Sequence, residues 1–402
     1  MIVKIEKSKA QGNIVAPPSK SMAHRALICG ALSEKSSIRN LAASEDIKAT
    51  LGCLKALGAK VDETDGGVRI GSLDPASVPE NAELFCNESG STLRFFIPLC
   101  MLSNKKITLR GSKRLFERPL SVYEEICKEQ GIEMDKGEDY VTVCGRLKSG
   151  SYKVAGNISS QFITGLLFAL PLLEGDSTLE VTGKFESASY VDLTLSSLNA
   201  FGVEIKREAN TFYIKGSQSY QNAEYTVEGD MSNAAFLDGF NLVGGSVSVQ
   251  GLNPNTLQGD RVYKTMYKEL VEGKKSFDLS DCPDLAPVMF ALAAERGGAE
   301  FTGTARLKIK ESDRAAAMAE ELSKLGIESE IYENSVVIKK SELAEPKETL
   351  CSHNDHRIVM ALSLLLSKVG GSIEGAEAVK KSYPDFFEAI KKLGIGMEKY
   401  DN

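Results

Sequence analysis

The sequence predicts an α/β protein of two domains built from six βαβαββ-like repeats, three per domain, and three observations predict it. The chain has 402 residues, more than one hydrophobic core usually serves, with the 42% apolar and 26% charged content of an ordinary globular protein. A polar cluster followed by an apolar, helix-like run and a short strand-like run recurs six times along it. After most of these recurrences comes a second, amphipathic helix signal that stops at a glycine.

The openings are Ser19-Lys20-Ser21, Ser89-Gly90-Ser91, Ser159-Ser160-Gln161, Asp230-Met231-Ser232, Cys282-Pro283-Asp284 and Asn354-Asp355-His356, the fourth the loosest. They advance by 70, 70, 71, 52 and 72 positions, too long a period for a solenoid and long enough for a unit with two helices. The second helices read LKALGAKV, CKEQGIEM, LNAFGVEI, LSKLGIES and KKLGIGM. Alternating strands such as VRIG, YVTVCG, TFYIKG and SVVIKK follow several of them. The short fourth repeat ends its second helix near Leu270-Val271-Glu272-Gly273 and lacks a following hairpin. Division into three and three gives one domain at 18–229 and the other at 1–17 plus 230–402, with the fourth repeat shortened. The strand before Pro17-Pro18 would pair with the second of these, so that Ala16–Ser19 and Glu228–Met231 cross over and act as a hinge. Two coincidentally similar domains without relative motion are the alternative.

A net charge of −7 opposes broad attraction to nucleic acid or an anionic membrane, although a local basic cleft fits inside an acidic whole. Eight scattered cysteines without a CxxC pair, and three histidines (His24, His353, His356), suggest neither a disulfide framework nor a zinc site, and fit a reducing cytoplasm. No metal is expected. The N-terminus has no continuous apolar segment, and the most apolar stretch, 162–173, is short and contains Pro171, so neither export nor membrane spanning is expected. Neither a GxGxxG fingerprint nor a GxxxxGK[ST] loop is present.

Helix N-termini offer unpaired N–H groups, so Ser, Asp and Gly clusters there either cap the helix, the commoner case, or hold an anion. The cations near the openings, Lys20, Arg25, Arg94 and Arg357, with Arg118, Lys310, Arg314 and Lys381 in polar loops or helix starts, would be surface charges singly. Together they can clamp phosphates or carboxylates. Two carboxylates stand apart: Asp284 behind Pro283, and Glu311 between Lys310 and Arg314. Each is a structural ion-pair partner or a group for proton transfer.

In order along the chain, PPSKSMAHRAL, ESGSTLRF, FERPL, ISSQFITGLL, KESDR, NDHRIVMAL and KKSYPDFF resemble the enolpyruvyl transferase family, most closely its shikimate-pathway branch. The resemblance covers essentially the whole chain. It implies a two-domain inside-out α/β barrel and a cytoplasmic enzyme without cofactor, working as a monomer in aromatic amino acid biosynthesis. The substrates it implies are phosphoenolpyruvate and shikimate 3-phosphate, and it implies a glyphosate target.

It also implies residue roles. Lys20, Gly90, Arg118 and Lys381 would surround the phosphate of phosphoenolpyruvate, and Arg314 and Arg357 would take its carboxylate. Ser21 and Arg25 would bind the shikimate carboxylate. Ser159, Ser160 and Ser187 would hold the 3-phosphate, Gln161 would lie between the substrates, and Tyr190 would line the ring. Asp284 and Lys310 would meet the shikimate hydroxyls. The catalytic residues would be Lys20, Asp284 and Glu311, with Glu311 moving the proton.

The chain departs from the family pattern in three places: the fourth repeat is short, Arg306 stands where the family has a polar side chain, and the second opening begins with Glu88. Two rivals carry other functions. A sister transferase acting on UDP-N-acetylglucosamine usually has a cysteine in the loop that here reads GSKRLFERPL, and Lys-Asn where Lys20-Ser21 stands. A noncatalytic anion-binding protein on the same repeats would not need both Glu311 and Asp284.

Overall fold

Apolar residues surround the opening helices on nearly every side, and a helix of that kind has to be buried. The structure, a computed structural model that describes residues 1–400, places such a helix at each opening. They run Lys20–Leu32, Gly90–Cys100, Ser160–Ala169, Met231–Gly239, Ala286–Glu295 and His356–Val369. The fifth follows a short helical turn, Pro283–Leu285, that carries Asp284. Gly58, Gly131, Gly202, Gly273, Gly326 and Gly394 end or follow the second helices with positive φ, and Gly131 takes the left-handed cap of Ser121–Gln130 at φ 72°.

The second repeat shows the full pattern. Strands Glu83–Phe85 and Ile107–Arg110 are parallel, joined through the opening helix. After the second helix, Glu133–Lys136 and Tyr140–Cys144 form a hairpin whose later strand pairs antiparallel with Ile107–Arg110. Among the described residues five sheets have four strands; that of the fourth repeat has two, Gln11–Val15 parallel to Ser246–Gln250, without a hairpin. Along the strands burial alternates, as in Ser151–Ala155 and Ser177–Thr182, so each sheet turns one face to the buried helices and one to solvent. Within each set of three repeats the helices lie inside and the sheets outside, an inside-out arrangement.

Three sheets borrow strands from far along the chain, which the repeat pattern did not foretell in full. Glu224–Thr226 closes the sheet of the first repeat beside Ser36–Arg39. Ile2–Ile5 sits between Gly371–Glu374 and Met397–Tyr400 in the sixth. Gln11–Val15 belongs to the fourth.

Contacts divide the chain into a continuous lobe, Lys20–Val227, and a split lobe, Met1–Ser19 with Glu228–Asn402. Each has its own apolar core, the first around Phe95, Phe96, Phe162 and Phe168, the second around Phe236, Phe240, Phe290 and Phe301. Among the described residues no helix is long and apolar enough to cross a membrane.

Candidate functional site

In the continuous lobe the opening side chains first serve their own helices. Ser89 Oγ accepts from Thr92 N at 3.2 Å, and Ser159 Oγ accepts from Gln161 N at 3.3 Å. Ser160 opens the third helix and is buried. Ser187, before the helix Ala188–Ala200, is a non-glycine residue in the left-handed region at φ 57°. Lys20 pairs with Asp46 Oδ2 at 2.6 Å. His24 Nδ1 meets Thr50 Oγ1 at 2.7 Å, and the hydroxyl chain continues through Thr92 to Ser89, tying three helices together. Burial, then Lys20 and Arg25, hold His24 well below its usual pKa, so the imidazole is neutral.

Arg25 is buried and directs its donors inward: Nη1 to Ser21 O at 2.6 Å, Nη2 to Tyr190 O at 2.9 Å and Nε to Thr194 Oγ1 at 2.9 Å. It thereby fixes Ser21 and Tyr190, and burial draws its pKa down to about 10. Arg94, grouped by sequence with the clamping cations, donates to Gln161 Oε1 at 2.8 Å and Pro119 O at 3.0 Å. Gln161 passes a hydrogen bond on to Ser91 Oγ at 3.0 Å, so Arg94 orients Gln161. Gly90 abuts Arg118: a Cβ there would lie 2.5 Å from Nη1. Glycine is therefore required for the guanidinium to lie against the helix start.

In the split lobe three cations converge on Asp284. Arg314 Nη1 donates to Oδ1 at 2.8 Å, Arg357 Nη2 to Oδ2 at 2.9 Å, and Lys310 Nζ lies 3.5 Å from Oδ1. Burial alone would raise the Asp284 carboxyl, but Arg357, Lys310 and Arg314 outweigh it and hold it well below the usual range. Arg314 also donates to Glu311 Oε2 at 2.7 Å and to Asp355 Oδ2 at 2.8 Å, so three carboxylates share one guanidinium. Asp355 caps the sixth helix, accepting from Arg357 N at 2.9 Å. Lys381 Nζ donates to Asn354 O, on the residue before that cap. Burial, and the positive charges of Arg314 and Arg306, bring Lys310 down to about 8 against the opposing pull of Asp284 and Glu311. Arg306, at the position that departs from the family, is buried and donates to Ser280 O.

Asp46, Ser232, Asp260 and Asp355 were not singled out from sequence, although all stand behind a candidate cation. Only their positions at or near helix openings marked Ser232 and Asp355. Elsewhere in the split lobe Glu320, Glu321 and His353 bring ligand-type atoms within 4.8 Å of one another. Lys324 Nζ already lies 3.0 Å from Glu321 and 3.7 Å from Glu320, which makes this group an ion-pair network.

This architecture is shared with solved structures. An EPSP synthase from Acinetobacter baumannii superposes with a TM-score of 0.77 at 24% identity, over 99% of both chains. The family model described as EPSP synthase (3-phosphoshikimate 1-carboxyvinyltransferase) matches residues 5–390. Relatives named 3-phosphoshikimate 1-carboxyvinyltransferase agree: that of Clostridium kluyveri is 43% identical over 99% of this chain and 98% of its own. That of Clostridium acetobutylicum is 41% identical over 98% and 97%. The chain belongs to the EPSP synthase family.

Proposed function

We infer that the protein is a transferase of the shikimate pathway, moving the enolpyruvyl group of phosphoenolpyruvate to the 5-hydroxyl of shikimate 3-phosphate. The hydroxyl oxygen bonds to C2 while C3 gains a proton; the tetrahedral adduct then loses phosphate and a C3 proton, restoring the double bond. The protein works as a cytoplasmic monomer. Ser159, Ser160 and Ser187 hold the 3-phosphate, Ser21 and Arg25 the shikimate carboxylate, and Gln161 and Tyr190 the space beside the ring. Lys20, Gly90, Arg118 and Lys381 receive the enolpyruvate phosphate.

The observation that carries the reading is the cluster around Asp284. A carboxylate held ionised by three cations accepts a hydrogen bond from the attacking hydroxyl but is a weak base. Lys310, with its pKa down to about 8, lies beside it, and in its uncharged form the amine takes the hydroxyl proton. Arg314 and Arg357 match an incoming carboxylate, and Arg314 already holds one in Glu311. When the substrate carboxylate replaces Glu311 on Arg314, Glu311 is released to carry the proton to C3 and later remove one. A carboxylate clasped by a guanidinium is a poor proton donor, so the exchange couples substrate binding to acid catalysis.

A phosphate-release assay with phosphoenolpyruvate tests the function. Release is expected with shikimate 3-phosphate, at the same rate in the presence of a chelator. Release with UDP-N-acetylglucosamine instead would transfer the chain to the sister activity, and binding without release would make it an anion-binding protein.

A further inference from the structure

The fourth repeat carries a buried carboxylate to which the roles above give no task. Asp260 lies in the short helical turn Gly259–Val262 and is 5% exposed. It shares a hydrogen bond with Ser232, on the opening helix of the same repeat. Ser232 Oγ in turn accepts from Arg357 Nη1, while Arg357 Nη2 donates to Asp284 Oδ2 at 2.9 Å. A serine hydroxyl has one proton to give. With a lone pair turned to Arg357, that proton goes to Asp260, and donation runs from Arg357 through Ser232 to Asp260.

The backbone behind this relay is held by its own bonds. Gln258 Oε1 accepts from Met231 N at 3.0 Å, and Gln258 Nε2 donates to Gly229 O at 2.8 Å. Thr256 and Asn253 donate to the two oxygens of Glu228, at 2.5 and 2.6 Å. The segment that follows the second strand of the shortened repeat thus ties Asp260 to the start of the helix that carries Ser232.

We propose that Asp260 is a positioning residue for Arg357: through Ser232 it fixes the guanidinium that receives the enolpyruvate carboxylate, and when ionised it places a negative charge behind that guanidinium which opposes the substrate. The proposal rests on the assignment of Arg357 to phosphoenolpyruvate. The charged and titratable groups facing Asp260 are Asp284 on the turn before the fifth helix, Arg357 on the sixth, Asp230 at the start of the fourth, and Cys282. Burial, then Asp284 and Asp230, push its carboxyl up to about 7 against the pull of Arg357 and the Ser232 hydroxyl. Its ionisation therefore falls within the working range, and linkage makes the protonated form the tighter binder of an added anion.

The test is the KM for phosphoenolpyruvate at saturating shikimate 3-phosphate between pH 7 and 9, above the second ionisation of a phosphomonoester at roughly 6. Wild type, Asp260→Asn, Ser232→Ala, Ser232→Thr and Arg357→Lys are compared, each first shown by calorimetry to bind shikimate 3-phosphate as wild type does. Wild-type KM is expected to rise with pH as Asp260 ionises. Asp260→Asn keeps an acceptor oxygen for Ser232 but cannot ionise, so its KM stays near the low-pH value and retains only the change that Lys310 contributes near 8. Ser232→Ala breaks the relay and is expected to raise KM about 10- to 150-fold at every pH, the range for one lost hydrogen bond to a charged group. Ser232→Thr restores the hydroxyl and the affinity. A rise with pH in Asp260→Asn equal to that of wild type, or an unchanged KM in Ser232→Ala, overturns the proposal where Arg357→Lys does raise KM. An unchanged KM in Arg357→Lys shows instead that the assignment of Arg357 has failed, and the inference with it.

Discussion

Arg25 in the continuous lobe and Arg314 in the split lobe are held in different ways. In the continuous lobe Arg25 faces two backbone carbonyls and a threonine hydroxyl, and burial draws it down to about 10. In the split lobe Arg314 is equally buried, but Asp355, Glu311 and Asp284 outweigh burial and raise it well above its ordinary value. Neutral partners fix a guanidinium in place and leave its charge for a bound carboxylate to meet. Carboxylate partners neutralise it, and an incoming carboxylate can take their place. Burial first, and then the like charges nearby, moves Lys310 and Asp260 toward neutrality, so pH sensitivity near 7 to 8 belongs to the split lobe.

The largest expected effect that follows from this contrast is on stability. Arg314→Met leaves Asp355, fully buried, and Asp284 without their shared partner, and breaking such a buried pair costs about 3–5 kcal/mol. Hydrogen exchange read separately for each lobe should show the loss in the split lobe alone; equal loss in the continuous lobe would mean that the lobes are not energetically distinct.

Next in size is the division of substrates. Ser160→Ala should weaken shikimate 3-phosphate binding by about 1.5–3 kcal/mol, the range for a hydrogen bond to a charged group. Lys20→Ala should leave that binary affinity in place while suppressing turnover. Calorimetry giving the reverse pattern would exchange the two anion sites.

Gly90→Ala should act through Arg118, because the added methyl would meet the guanidinium at 2.5 Å and displace it. The expected result is a higher KM for phosphoenolpyruvate, by about tenfold if roughly 1.4 kcal/mol of the contact is lost. Shikimate 3-phosphate binding should not change.

The smallest effects distinguish the lobes by their histidines. His24 has a folded pKa below the unfolded value of about 6.5, so the unfolded chain binds more protons below that pH and the continuous lobe loses stability as the solution is acidified. His353 is the opposite case: its hydrogen bond to Glu321, at 2.8 Å, raises it. Its contribution is full below about 6.5 and is lost as pH rises through the higher folded value. His353→Ala should therefore lower Tm at pH 6 and have little effect at pH 9. A Tm loss independent of pH would show that packing, and not the charged pair, carries the contribution.

The repeats were legible because each opening needs polar caps and each second helix needs a glycine stop, and both leave marks in sequence. Shortening of the fourth repeat was legible from its 52-residue step, and the structure shows the consequence as a two-stranded sheet. The borrowed strands were less so: Ile2–Ile5 and Glu224–Thr226 are short, and their places are set by sheets whose other strands lie far off in the chain. Among site residues, the cations were visible as types, and the family resemblance supplied their roles. Of their partners, Asp284 and Glu311 stood out in the sequence, whereas Asp46, on a second helix, Asp355, which doubles as a cap, and Asp260, in a turn of the irregular repeat, did not. Arg94 was visible as a cation, but only its burial and its bond to Gln161 show that it acts on a neighbour.

In the proposed mechanism Glu311, held on Arg314 at 2.7 Å, is released by the substrate carboxylate to move the proton at C3. Deuterium incorporation into the methylene of phosphoenolpyruvate, read by mass spectrometry during reversible turnover in heavy water at saturating substrates, tests it most directly. Wild type should incorporate deuterium, while Glu311→Gln should lose incorporation and product formation together by about 10²–10⁴-fold, the range for general acid–base catalysis, and still bind shikimate 3-phosphate. Normal incorporation by the variant once saturated would show that Glu311 only orders the neighbouring cations and that another group carries the proton.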